Sequence, residues 1–259
     1  MKEKQISEAP LIDVISPSLP KGGGSVQGMT GTFEQFASTG EAAITIPLPT
    51  NSIRRGHQLA VTLSSQQNNG LLGLGGELTL PFIQRNTQHC RPTYTKTDTF
   101  TISSVGEIVP QGAAVEKEKH GQKWQVQCFK PRNDTSNALI EQWEREGHQF
   151  WRVIEADGTL SIYGVNKSSR IVDPIDGLRE FAWYLEEQIS LKGEHVQYCY
   201  VRDAEANSST SVPYLKRVRW GNNTPDTQPW VGWEGQSDNI EWYFELVMDY
   251  GEHGDLSNG

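Results

Sequence analysis

The chain lacks the features that mark several large functional classes. Its 259 residues carry a net charge of −9, and no run of lysine and arginine is long enough to hold a phosphate backbone. We therefore expect no nucleic acid among its partners. Its three cysteines, Cys90, Cys128 and Cys199, are too few and too scattered for a disulfide framework or a zinc site.

Long apolar runs are also missing. No segment approaches the roughly 18 apolar residues that a membrane span requires, and the N-terminal MKEKQISEAP has no apolar stretch behind its charges. We expect no membrane span and no Sec signal. The protein is predicted to be made in the cytoplasm and to leave the cell, if it does, by a route that reads no Sec signal.

Helical patterns are scarce. Only residues 139–146, LIEQWERE, have a helical composition, and Gly147 cuts them short. Alternation with a period of two is common instead, as in Leu59, Val61 and Leu63, and it is typical of half-buried strands. Strands at short spacing without intervening helices predict an all-β fold: many short antiparallel strands and hairpins in a large curved sheet.

Two hairpins stand out. Residues 150–163 alternate around Asp157-Gly158, a pair that tolerates the positive φ of a tight turn. Residues 183–201 are predicted to turn at Lys192-Gly193. Other strands are predicted at residues 43–49, 59–63, 78–82, 100–103, 107–109, 124–128, 214–220 and 240–250. We expect residues 1–18 to be a flexible lead-in and residues 19–259 to form one β domain.

A series of motifs follows in a characteristic order. LPKGGG (19–24) precedes AAITIPLP (42–49), NGLLGLGG (69–76), YTKTDTF (94–100), FWRVIEADGTLSIY (150–163), GEHVQYCY (193–200) and WYFELVMDYGE (242–252). In this order the motifs resemble the SpvB N-terminal domain family, shared by a Salmonella plasmid virulence protein and the B components of Tc insecticidal toxin complexes. The match departs at Leu71-Leu72, where the family has Pro-Phe, and at Gly76, where tryptophan is common.

The resemblance implies a non-catalytic structural or carrier domain of a secreted toxin, with no catalytic residue, cofactor or metal. The implied partners are proteins: a C component with YD/RHS repeats, which completes a hollow shell around a cytotoxic segment, and a pore-forming A component. Family proteins continue beyond the DYGE motif, so we expect this chain to be an N-terminal portion or a shortened relative. Strand edges cut from their neighbours are expected to make the isolated chain self-associate.

A second hypothesis is a carrier module of an ADP-ribosyltransferase effector, because the Salmonella family member has that activity in a separate C-terminal domain. The enzyme requires an S-T-S segment followed by E-x-E. Ser209-Thr210-Ser211 is present without a downstream E-x-E, so we expect the catalytic domain to be absent. Glu186 with Glu187, or Glu144 with Glu146, could in principle form a glycosidase acid–base pair, but solvated strand or loop charges are the favoured interpretation.

A third hypothesis is a stand-alone carbohydrate- or protein-binding β module. Trp220, Trp230, Trp233 and Trp242 fall within a short span and form a candidate interface, because exposed tryptophans stack on sugars or anchor protein contacts. The competing interpretation is that these tryptophans cover the faces of large sheets.

Overall fold

The computed structural model describes residues 32–36, 41–48, 60–64, 69–70, 73–74, 76–78, 80–88, 90–119, 121–133, 137–202, 212–225 and 240–249. Apart from one 3-10 turn at Lys167–Ser169, the regular elements in these ranges are strands, which confirms the predicted all-β class. The strands are β1 (Thr32–Phe36), β2 (Glu41–Pro47), β3 (Ala60–Ser64), β4 (Asn69–Gly70), β5 (Gly73–Leu74), β6 (Gly76–Leu78), β7 (Phe82–Arg85), β8 (Phe100–Ile102), β9 (Gly106–Lys119), β10 (Gln122–Pro131), β11 (Leu139–Arg145), β12 (His148–Ile154), β13 (Leu160–Tyr163), β14 (Arg170–Val172), β15 (Glu180–Ile189), β16 (His195–Val201), β17 (Tyr214–Asn222) and β18 (Trp242–Val247).

Four strands near the N-terminus form a separate antiparallel sheet in the order β1-β2-β3-β6. Phe33 of β1 pairs with Ile44 of β2, and the two side chains are 62% and 41% exposed. Leu78 of β6, by contrast, is buried in the main core. This small sheet is therefore anchored at β6 and carries exposed apolar side chains on the strands farther from it.

The twelve strands β7 to β18 form one large sheet, of which eight close into a barrel-like ring. The ring runs β13-β12-β11-β10-β9-β8-β7-β15, and β15 pairs back with β13. Closure depends on β15, which pairs with β7 through residues 182–184 and with β13 through residues 185–189. Because β15 pairs on both sides in this way, the ring has no free edge at the point of closure.

Aromatic side chains from four strands meet inside the ring. The centroid of the Trp151 ring lies 4.8 Å from that of Phe100, 5.0 Å from that of Phe129 and 5.8 Å from that of Trp183. Both tryptophans are fully buried. Tilted and edge-to-face pairs of this kind add to the stabilisation from burial. A second, smaller core contains Trp124, Val126, Trp143, Phe150, Leu160, Ile162 and Val165.

The strands β16, β17 and β18 extend the sheet beyond the ring as antiparallel neighbours of β15. Both predicted hairpins are present. Gly158 has φ of 82° in the β12–β13 turn and Gly193 has φ of 77° between β15 and β16. The Asp157 carboxylate accepts the Thr159 backbone N–H at 2.9 Å, which secures the first turn.

Two segments differ from their predictions, and a third forms a strand where none was predicted. Residues 78–82, predicted as one strand, are divided between β6 and β7, which lie in different sheets; Pro81 between them has no N–H for a ladder. Residues 139–145 form β11 despite their helical composition, since pairing with both β10 and β12 overrides local propensity. Finally, β9 continues to Lys119, far past residue 109, through an exposed half without apolar alternation.

Candidate protein-interaction surface

The described residues contain no group of three or more His, Cys, Asp or Glu side chains placed to hold a metal ion. Nor is there, in the same ranges, a helix long and apolar enough to cross a membrane. The buried charged side chains of the described residues form hydrogen bonds and ion pairs with one another and with the backbone. The geometry of these bonds decides whether they form a reactive centre or a scaffold.

Glu180, at the start of β15, is the centre of one buried network. One carboxylate oxygen binds the Arg170 guanidinium and lies 3.2 Å from His148 Nδ1; the other accepts the Gln149 backbone N–H at 2.9 Å. The Trp183 indole N–H donates to the Gln149 carbonyl at 2.9 Å. The network therefore joins β12, β14 and β15 at one end of the ring.

Arg85 of β7 extends the polar contacts at the same end. Its Nε donates to the Glu180 carbonyl at 2.8 Å, and its NH1 lies 2.9 Å from Asp98. Burial opposes ionisation of Asp98, but hydrogen bonds from Thr93 and Tyr94 and the charge of Arg85 outweigh it and lower the pKa of the carboxyl. The loop between β7 and β8 is thus fastened to the ring by an ion pair.

Glu186 and Glu187, predicted to be solvated strand charges, are both buried, so that interpretation was wrong. Glu186 accepts hydrogen bonds from the Asn166 backbone and side chain and from Ser169 Oγ at 2.8 Å. Burial, with some help from Glu187, raises the pKa of Glu186 despite these donors. The carboxylate holds the 3-10 turn against β15.

Glu187 lies on the opposite face of β15, as alternation along a strand requires. Its Oε2 is 3.5 Å from His195 Nε2 of β16, and both side chains are at least 97% buried. Each carboxylate of the pair therefore has its own partners on its own face. Two carboxylates that do not face a common space do not make a glycosidase site.

The four candidate tryptophans are only partly placed by the structure. Trp220 is 6% exposed in β17 and stacks on Phe244 of β18, with ring centroids 5.6 Å apart. Trp242 is half-buried, with its ring 5.2 Å from that of His195. Trp230 and Trp233 lie outside the described residues. Trp220 thus covers a sheet face, while Trp242 leaves part of its ring accessible.

Sequence reasoning missed the residues of β18 that are exposed. Tyr243 is 72% exposed, and Phe244 and Val247 are each 48% exposed. The signal was available in the run Trp242-Tyr243-Phe244, because consecutive side chains in a strand point to opposite faces and one core cannot cover all three. At this end of the sheet the exposed aromatic rings therefore lie on β18, and Trp220 is not among them.

Sequence comparison places these elements among known proteins. The family described as Salmonella virulence plasmid 65kDa B protein matches residues 36–258. The Mono(ADP-ribosyl)transferase SpvB of Salmonella choleraesuis (strain SC-B67) is 30% identical over a 274-residue alignment, which takes in 96% of this chain and 45% of the relative. The Salmonella typhimurium protein of the same name gives the same identity and coverage. The chain thus spans about half the length of the curated relatives it matches.

Solved structures share the architecture. The N-terminal domain of effector protein SpvB from Salmonella typhimurium strain LT2 aligns with a TM-score of 0.70 and 29% identity, over 81% of this chain and 73% of that one. The Tc holotoxin pore of Photorhabdus luminescens gives 0.74 and 27%, over 92% of this chain and 12% of that one. A TcdB2-TccC3 crystal structure gives 0.76 and 27%, with the same coverage. By its family match and its shared β architecture, the chain belongs to the SpvB family.

Proposed function

We propose that the chain is a non-catalytic structural or carrier domain of a bacterial toxin, comparable to the N-terminal wall segment of a Tc toxin B component. The observation that carries this proposal is the TM-score of 0.76 with a TcdB2-TccC3 structure over 92% of the chain. The buried carboxylates support it, because Glu180 and Glu186 bind neighbouring strands and turns. A wall that encloses an effector requires this rigidity and no reaction centre.

The partners that we propose are proteins of a toxin assembly, a C component and an A component by analogy with the family. The chain would act outside the bacterium, as part of a secreted toxin complex. A continuous sheet with one closed region suits a wall, because it holds its shape while the extension remains free for contacts.

A second candidate is the carrier module of an ADP-ribosyltransferase effector. The curated relatives favour it, since they are named mono(ADP-ribosyl)transferases and the chain matches 45% of their length. In this case too the described domain would position or deliver an enzyme without taking part in the reaction. The two candidates differ in what is attached to the domain.

The size of the native polypeptide separates the candidates. An immunoblot of the source cells with an antibody to this chain is expected to detect a product several times larger than 29.0 kDa for a shell wall. A product about twice that size would favour the transferase carrier. A band at 29.0 kDa would contradict both and favour the stand-alone binding module, which glycan titrations followed by tryptophan fluorescence would then test.

The absence of catalysis is tested separately. Purified chain is incubated with labelled NAD and host-cell extract, and transfer of ADP-ribose to protein is measured. We expect no transfer above a blank without protein. Label transfer that depends on the chain would contradict the non-catalytic assignment, whatever the size of the native product.

A further inference from the structure

The large sheet has two long edges that no other described strand covers, and the two edges are built differently. Beyond Ile108, β9 pairs with β10 alone, because β8 ends at its pairing with residues 106–108. This stretch contains Pro110, a bulge at Gly112 with φ of 68°, and four alternating charges from Glu116 to Lys119. Proline, bulges and charges are the devices by which proteins prevent strand addition at an edge.

The edge strand β18 is far less protected. It pairs with β17 over residues 242–247 and with no other described strand, and its sequence WYFELV contains one charge and no proline. Phe244 and Leu246 lie on one face, beside Trp220 and Val218, and Tyr243, Glu245 and Val247 lie on the other. An exposed apolar edge with few such devices is a template for another strand.

The backbone of β18 presents hydrogen-bonding groups to that edge. The Met248 N–H donates to the Lys216 carbonyl at 2.9 Å, so position 248 is bonded to β17. Bonding alternates along an antiparallel pair. With the register Leu246–Val218 and Val247–Arg217, the N–H and C=O groups of Glu245 and Val247 therefore point away from β17.

The charged residue of β18, Glu245, forms ion pairs with two arginines of β17. Arg217 NH1 and Arg219 Nε both donate to Oε1 of Glu245, at 3.2 and 2.8 Å. The side chain is about one-third exposed, and both bonds use the same one of its two carboxylate oxygens. A lysine or arginine on an added strand would lie directly across from Glu245.

We propose that β18 is a docking site for an extended strand of a protein partner, which adds to the sheet edge through backbone hydrogen bonds. The partner strand has apolar residues at alternate positions and a basic residue opposite Glu245. A second copy of this chain fits less well, because each copy carries a net charge of −9 and its β18 has no basic residue. The inference rests on the proposed function in that both require a protein partner.

The test uses a labelled ten-residue peptide that alternates valine and threonine around one central lysine, titrated with the whole 259-residue chain by fluorescence anisotropy. We expect saturable binding, weakened about tenfold or more when alternate peptide nitrogens are methylated on the face that meets β18. Because this change is in the peptide, misfolding of a protein variant cannot imitate it. A glutamate in place of the lysine is expected to weaken binding by roughly two- to fivefold.

Two protein variants locate the site. Val247→Pro removes an outward N–H without removing a bond to β17, and it is expected to reduce peptide affinity about tenfold. Val247→Lys is matched by Val115→Lys on the protected β9 edge, since the two valines are 48% and 49% exposed. Only the change in β18 is expected to weaken binding.

Three results would overturn the inference: no saturable binding, binding unaffected by Val247→Pro and by peptide methylation, or a chain dimer that excludes the peptide and becomes monomeric on Val247→Pro. The last would assign the edge to a second copy. Equal affinity for the lysine and glutamate peptides would contradict the proposal that the partner strand has a basic residue opposite Glu245. If the peptide does not bind while the native product is several times larger than 29.0 kDa, the docking site is wrong and the proposed function stands. If the peptide binds and the native product is 29.0 kDa, the docking site stands and the proposed function is wrong.

Discussion

The closed ring and the β16–β18 extension belong to one sheet but place their aromatic residues differently. Inside the ring, Trp151 and Trp183 are fully buried against rings from neighbouring strands. On the last strand of the extension, Tyr243 is 72% exposed. Where the ring is closed, its backbone is paired on both sides and its aromatic side chains stabilise the core. The extension instead ends on an edge where aromatic rings are exposed. Substitutions in the two regions should therefore have separable effects.

The largest effect on stability is expected from Trp151→Ala. The substitution removes the ring that contacts Phe100, Phe129 and Trp183, and it leaves a cavity that closed strands cannot collapse to fill. We expect a loss of about 3–5 kcal/mol in the free energy of unfolding, measured by urea denaturation with circular dichroism. Phe244→Ala, on the half-exposed ring of the extension, is the control and should cost less than half as much. Equal losses would break the comparison between the regions.

The next largest loss, near the lower end of that range, is expected from Glu180→Gln. The amide keeps the shape of the side chain but leaves the Arg170 guanidinium, itself buried, without its counter-charge. Removing one member of a buried ion pair costs about 3 kcal/mol or more. The double variant Glu180→Gln, Arg170→Met removes both charges and should recover part of the loss. If the double variant loses the sum of both single effects, the pair does not act as a unit.

The dependence of stability on pH should change on Glu186→Gln. Burial raises the pKa of Glu186 above its ordinary value of 4.5, so the native state holds the proton more tightly than the unfolded state. Stability from this group is then present at low pH and is lost as the pH rises from 4.5 toward the raised pKa. Glutamine cannot titrate, so the variant should lose this fall in stability. The measurement is thermal unfolding of both proteins across a pH series.

Glu146→Gln is the matched control for that series, because its carboxylate is 79% exposed. It should leave the pH dependence of stability unchanged. A fall in stability over the same pH range that persists in the Glu186 variant would show that another group causes it.

Much of the fold followed from local sequence. The period-two pattern and the Asp157-Gly158 pair predicted the β12–β13 hairpin, since turn chemistry and alternation act within a few residues. Ring closure was not predictable in this way. It depends on β15 pairing with β7 and with β13, strands that lie far apart in the chain. Residues 139–145 show the same limit, because their strand state is set by neighbours and not by composition.

The candidate surface was predicted less well than the fold. Tryptophan content drew attention to Trp220, yet its ring is covered by Phe244 and by the sheet face. Exposure of a side chain depends on which strand is outermost, and strand order is not encoded in any local pattern. The buried states of Glu186 and Glu187 were missed for a related reason: their partners Asn166, Ser169 and His195 are brought to them by pairing and turns.

The smallest effect on stability is expected from Tyr243→Ser. Since the ring is 72% exposed, the free energy of unfolding should change by about 0.5 kcal/mol or less. The affinity for the lysine peptide should nevertheless fall several-fold, because Tyr243 shares its face with the outward-bonding Glu245 and Val247. Ile175→Ser is the control: Ile175 is 95% exposed in the loop before β15 and should affect neither quantity. A variant that loses binding without losing stability would show that the extension serves recognition; a Tyr243 variant that unfolds as readily as Trp151→Ala would show that the two regions share one role.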